Sequence, residues 1–219
     1  MSLRGRVFTV AAFAVAMAYI ESACVVYLER ALSITPDTLF PLRSPDAVGD
    51  LAAMEVGREA ATLVLLGAAG WLAGRNWQTR LAWAAVAFGI WDIAYYFWLW
   101  VFLGWPASLA VWDLLFLIPV PWAGPIYAPL AVSLALIGFG LAVARADEHD
   151  ATPRAGWPEA VLGLGGGLLV ILSFTLDAAN LMDGGLPGWY PWPLLVAGLA
   201  VGGWGATRAM RAGARQAAG

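Results

Sequence analysis

Long apolar stretches separated by short polar segments dominate the chain, and their spacing predicts membrane-spanning helices. Val7 to Leu28 is long enough for the roughly 20 residues that a bilayer core requires. Arg4 and Arg6 precede it in the manner of a signal peptide, but no convincing small-residue cleavage site follows, so it reads as a retained first span. Residues 29–50 hold Pro36, Pro41 and Pro45 among mixed charges and read as an extracytoplasmic loop. A second span is expected over Leu51 to Gly74, where Gly70 and Gly74 permit close helix contact. The connection Arg75 to Arg80 suits a tight turn, and a third span runs from Leu81 to Gly104.

Leu109 to Ala144 does not fit this scheme. It is apolar throughout, too long for one simple span and short for two, and it is interrupted by Pro119, Pro121, Pro125 and Pro129. Proline removes a backbone donor and kinks or ends a helix, so PVPWAGPIYAP cannot be continuous helix. The expectation is a re-entrant or sharply broken half-helix from Leu109 to about Ile118, irregular backbone from Pro119 to Pro125, and then a fourth span. Residues 145–156 form a hydrophilic loop, a fifth span covers Trp157 to Asp177, and a last one runs from Trp192 to Thr207.

Arginine placement orients the bundle. Arg4, Arg6, Arg75, Arg80, Arg145, Arg154, Arg208, Arg211 and Arg215 all fall on one side of a six-span arrangement, leaving Arg30, Arg43 and Arg58 on or near the other. Positive segments stay in the cytoplasm. The predicted fold is therefore all-α, a single transmembrane domain of residues 1–219 with six transmembrane helices and one broken or re-entrant segment around 109–125. Both termini and the 145–156 loop are cytoplasmic, and the protein belongs to the inner membrane.

Composition agrees and narrows the chemistry. Of 219 residues 61% are hydrophobic and 12% charged, with a mean hydropathy of +0.73, where a soluble domain carries about twice that charge fraction. Every basic residue is Arg, which excludes a Schiff-base lysine. One His (His149) and one Cys (Cys24) exclude His-rich metal sites, CxxC redox pairs, intramolecular disulfides and bis-His haem. No basic patch is present, which argues against nucleic acid. The partners expected are the bilayer itself, a lipid-soluble small molecule, and further copies of the chain.

Candidate chemistry lies with acids inside the spans. Glu55, Arg58 and Glu59 share the opening of the second span, with Glu55, Glu59 and Thr62 on one face. Hydrocarbon tolerates each such group only at a cost of roughly 2.5 kcal/mol or more. Glu21, Asp92, Asp113 and Asp177 add acids at similar depth, with Arg58 alone to balance them. Tyr19, Tyr95, Tyr96, Tyr127 and Asn180 are neutral partners for them. Structural explanations compete: Arg58 as an ordinary ion pair, Glu21 and Asp177 as solvated interface groups, Gly163 and Gly165 to Gly167 as helix packing, His149 as a solvated loop residue, and most Trp as interface belt. The functional reading makes Glu59, Asp92, Asp113 and Arg58 catalytic, and Glu21, Glu55, Glu59, Asp92 and Asp113 ligands of a divalent Mg, Ca, Mn or Fe ion or acceptors of shared protons. Three classes follow: a membrane-embedded cation-binding enzyme acting on a lipid-soluble substrate, a proton- or cation-coupled transporter or channel, and a structural or assembly subunit.

Overall fold

The computed structural model describes residues 2–33, 40, 42 and 50–217, so Pro36, Pro41, Arg43 and Pro45 lie outside the described residues. The chain is a helical bundle. In order it forms α1 (Leu3–Leu32), α2 (Asp50–Ala73), α3 (Trp77–Leu103), β1 (Trp112–Phe116), β2 (Trp122–Pro125), α4 (Tyr127–Glu148), α5 (Trp157–Thr175), the short α6 (Ala178–Met182) and α7 (Trp192–Ala217). Leu3–Leu32, Ala53–Ala73, Trp77–Leu103, Tyr127–Glu148 and Trp157–Met182 are each long and apolar enough to cross a membrane, which fits a multi-pass membrane protein.

Hydrophobicity runs round these helices, so small residues and buried polar groups, more than an apolar stripe, decide which face turns inward. On α1 the inward positions are Val10, Ala14, Ala18, Ser22 and Val26, at a helical spacing of four, while Phe8, Ile20 and Tyr27 are exposed. α3 is the hub, packing against α1, α2 and α4 through fully buried Trp83, Val86 and Ala87. The other strong pairing is α5 with α7. Gly166 explains it: a Cβ there would stand 2.4 Å from the Gly202 nitrogen and 2.7 Å from the Gly198 carbonyl oxygen, so the two backbones touch where the side chains vanish. Of the glycines expected to pack, Gly163, Gly165 and Gly167 face open space instead. Gly70 and Gly74 do bring α2 against the start of α3.

The largest departure from expectation is the stretch after α3. No half-helix forms over 109–118; β1 and β2 make an antiparallel hairpin that pairs Trp112 with Pro125, Asp113 with Gly124 and Leu114 with Ala123, with an irregularity before Phe116. The Ile126 and Tyr127 N–H groups continue the pairing onto the Val111 and Leu109 carbonyls at 3.1 and 3.0 Å. The prolines explain why this serves inside a helical bundle. Every exposed strand N–H at membrane depth would need an acceptor, and Pro119, Pro121 and Pro125 have no N–H to satisfy. The hairpin tip reaches the level of mid-helix residues, with Phe116 stacked 6.4 Å from Phe88 of α3.

Smaller corrections concern ends. α1 continues through Glu29 to Leu32, so the loop expected over 29–50 begins later. α4 continues through Arg145 to Glu148, which shortens the 145–156 loop. The loop after α5 contains α6, and α7 extends past Thr207 to Ala217. One end of the bundle gathers the start of α1, the α2–α3 turn, the α4–α5 connection and the end of α7. Arg6 pairs with Glu148 at 3.2 Å, Arg75 with Asp147 at 2.7 Å, and the Arg154 N–H donates to the Ala209 carbonyl at 3.0 Å. Asp147, which looks in the sequence like one member of a solvated acidic run, is buried and also accepts from Asn76 and Thr152 at 3.2 and 3.1 Å. The hydrogen bond to Asp147 holds Arg75 above its ordinary pKa.

A candidate site in the bundle interior

Glu21 on α1, Glu55 and Glu59 on α2, Asp92 on α3 and Asp113 on β1 line one cavity of about 210 Å³, and Arg58 lines it with them. The elements dictate this meeting. Glu55 and Glu59 lie one turn apart on α2; Asp92 lies near the middle of α3, the hub; and the hairpin brings Asp113 inward between helices. The cavity extends from Asp92 and Ser133 at mid-helix to Glu29 and Leu32, at the end of α1 remote from its N-terminus.

Within it the acids fall into two groups. Arg58 forms ion pairs with both Glu21 and Glu55, and the Thr62 hydroxyl donates to Glu21 at 2.9 Å, so this group fastens α1 to α2 and carries its own positive charge. Glu59, Asp92 and Asp113 are otherwise placed. Both oxygens of Glu59 accept from the Leu117 N–H of the hairpin, at 3.0 and 2.9 Å. Asp92 accepts from the Ser133 hydroxyl of α4 at 2.8 Å. Asp113 accepts from the Tyr96 hydroxyl and from the Leu114 N–H, both at 2.9 Å. Each of the three is buried, with at most 7% of its surface exposed, and among the described residues none has a cationic side chain in hydrogen-bonding contact. All of these hydrogen bonds run toward the carboxyl oxygens.

The walls are aromatic. Phe88, Trp91, Tyr95 and Phe116 make one connected face, with Trp91 5.4 Å from Phe88 and 6.0 Å from Tyr95, and Tyr96 lies 6.3 Å from Trp105 on another.

Not every sequence candidate belongs here. Asp177 lines a second cavity, of about 310 Å³, beside β2 and the α5–α6 corner, where Asn180 donates to it at 3.2 Å. Tyr19 and Tyr127 are largely exposed and make ring contacts, Tyr19 with Trp98 and Phe102, instead of serving the acids. Among the described residues no group of three or more His, Cys, Asp or Glu is arranged to hold a metal ion. Of the residues expected to share a divalent ion or protons, Glu21 and Glu55 pair with Arg58, and Glu59, Asp92 and Asp113 each accept from a different donor. Sequence reasoning missed Glu29, taken for loop, and Ser133, a single hydroxyl in an apolar span; only the helix continuing past Leu28 and the burial of α4 against α3 bring them in. No protein-family model, no curated protein and no solved structure matches the chain.

Proposed function

We propose that this is a six-span protein of the cytoplasmic membrane, with both termini inside, whose interior cavity receives a lipid-soluble small molecule carrying a positive charge. The topology is supported by the arginine asymmetry and by the gathering of both termini and two connections at one end of the bundle, which requires an even number of crossings. Five helices are long and apolar enough to cross among the described residues; in this reading α7, 26 residues long and paired with α5, is the sixth.

The observation that carries the functional reading is an imbalance of charge in an aromatic cavity. Six acids line it and Arg58 is the one basic residue among the lining side chains. Arg58 forms ion pairs with Glu21 and Glu55, which leaves Glu29, Glu59, Asp92 and Asp113 outside those pairs, with the last three buried and the single Arg58 charge shared among the acids. Protons can balance them, but aromatic faces beside carboxylates also suit an organic ammonium, through cation–π attraction and Coulombic pairing in a medium of low dielectric.

The test uses two isosteres. Phenyltrimethylammonium and tert-butylbenzene differ in a charged nitrogen replacing a carbon, and their binding to protein in lipid nanodiscs is read from the fluorescence of the cavity tryptophans. The cation should bind at least about tenfold more tightly, the equivalent of ~1.4 kcal/mol, and Glu59→Gln and Asp92→Asn should each erode that preference. Equal binding of the neutral isostere, or no binding of either, would overturn the reading.

A further inference from the structure

Phe174 of α5 lines both cavities, the interior one and the one that holds Asp177. Elsewhere the hairpin divides them. Asp113 and Trp122 line the interior cavity while their chain neighbours Trp112 and Ala123 line the second, because successive residues of a strand point to opposite faces. At Phe174 a side chain completes the wall. Its ring stacks 6.3 Å from Trp122 on the interior side and lies 5.5 Å from Tyr190 on the other. Gly124 of β2 leaves room for the ring, since a Cβ there would stand 3.1 Å from two of its carbons. Phe174 is buried, and a phenyl ring has no hydrogen bond to break on turning, whereas the adjacent Ser173 hydroxyl is tied to the Val170 carbonyl and the Tyr190 hydroxyl at 2.6 and 2.9 Å. The second cavity repeats the chemistry of the first: Asp177 lines it with Trp112, Trp189 and Tyr190, and among the described residues Asp177 forms no ion pair. Leu186, Gly188 and Trp189 of its lining are exposed, so this cavity borders the surface of the molecule.

From this we infer that the second cavity is an entry site for the same class of ligand, an organic ammonium, and that Phe174 is the ring that parts it from the interior cavity and turns to let the ligand pass. The inference rests on the cation-site reading and adds a route to it. Asp177 and the aromatic rings beside it hold the cation first, by charge and by cation–π attraction. Rotation of one apolar ring then joins the two spaces without opening the packed helices of the bundle. Such a gate sets the rates at which the ligand enters and leaves and not its affinity at equilibrium.

Cysteine chemistry tests the route on protein in nanodiscs, with Cys24 first replaced by Ser. Val132→Cys places a thiol in the lining of the interior cavity. Its reaction with 2-(trimethylammonium)ethyl methanethiosulfonate, a water-soluble cation, should become about tenfold faster when Phe174→Ala is added. Ala144→Cys, in the fully buried core that α4 shares with α1 and α3, should not respond. An unchanged rate at Val132→Cys, or an equal acceleration at Ala144→Cys, would overturn the inference. A second measurement leaves Phe174 intact: Leu186→Cys, in the lining of the second cavity, is capped with N-cyclohexylmaleimide. The cap should slow both association and dissociation of phenyltrimethylammonium, read by stopped-flow tryptophan fluorescence, and leave its Kd unchanged. Undiminished rates in the capped protein would overturn the entry route while leaving the cation site standing. Failure of phenyltrimethylammonium to bind the uncapped protein would instead remove the cation site on which the route rests.

Discussion

Arg58 is the residue on which the interior electrostatics turn. It takes two carboxylates from two helices, Glu21 on α1 and Glu55 on α2, and its removal strands both in a region of low dielectric. Breaking a buried pair by deleting one partner typically costs ~3–5 kcal/mol. Arg58→Ala should therefore reduce the yield of folded, monodisperse protein several-fold, whereas Arg211→Ala, on the exposed tail of α7, should leave it unchanged; size-exclusion of detergent extracts measures both, and equal yields would mean that Arg58 contributes no net pairing. Its partnership with Glu55 was legible from the three-residue spacing alone. The one with Glu21 was not, because nothing in the sequence states which helix α2 faces. Asp147 marks the opposite failure: in the run Asp147 to Asp150 it resembles its solvated neighbours, and only the tertiary contact with Arg75, Asn76 and Thr152 separates it. Asp147→Asn should lower the thermal midpoint by several degrees and Asp150→Asn should not, since Asp150 follows the end of α4 in an exposed turn.

At the level of elements, hydropathy located the five long apolar helices to within a few residues, since long apolar runs and their polar breaks are written into the chain directly, while α7 continues past Thr207 to Ala217 and α6 lies in what reads as loop. The hairpin escaped. Strands that face protein on both sides lose the polar–apolar alternation by which a strand is recognised, and WDLLF and WAGP read as fragments of an interrupted helix. Its position is what matters for the site, because β1 delivers Asp113 and the residue just after it, Leu117, donates the N–H that holds Glu59. The α5–α7 pair makes a second element-scale case, in which one glycine among several carries the contact. Gly166→Val places a side chain where a Cβ alone would lie 2.4 Å from the Gly202 backbone, whereas Gly163 has nothing within 4 Å. Gly166→Val should separate the helices and lower thermal stability by several degrees in a dye-based melting assay, and Gly163→Val should be close to neutral. Comparable losses in both would show that helix propensity, and not backbone contact, sets the cost.

For the molecule as a whole, the convergence of acids followed from depth. Charged groups placed at similar heights on several spans satisfy one another only by facing a shared interior, and the cavity contains Glu21, Glu55, Glu59, Asp92 and Asp113 together. What depth left open was how they would be satisfied, since that depends on donors such as Ser133 and Tyr96 that carry no signal in an apolar run. Depth also implies a sidedness that is open to measurement. If the arginine-rich end is cytoplasmic, the α4–α5 connection lies inside, while the α6–α7 loop, at the other end of the α5–α7 pair, lies outside together with the Glu29 end of the cavity. Cys24 is the one native thiol and is exposed on α1, so it is first replaced by Ser. Single cysteines at Ala151 and at Gly188 are then challenged in intact cells with a membrane-impermeant maleimide. Gly188→Cys should label without lysis, and Ala151→Cys only after the membrane is opened. Labelling of Ala151→Cys in intact cells would invert the bundle and turn the Glu29 end of the cavity toward the cytoplasm.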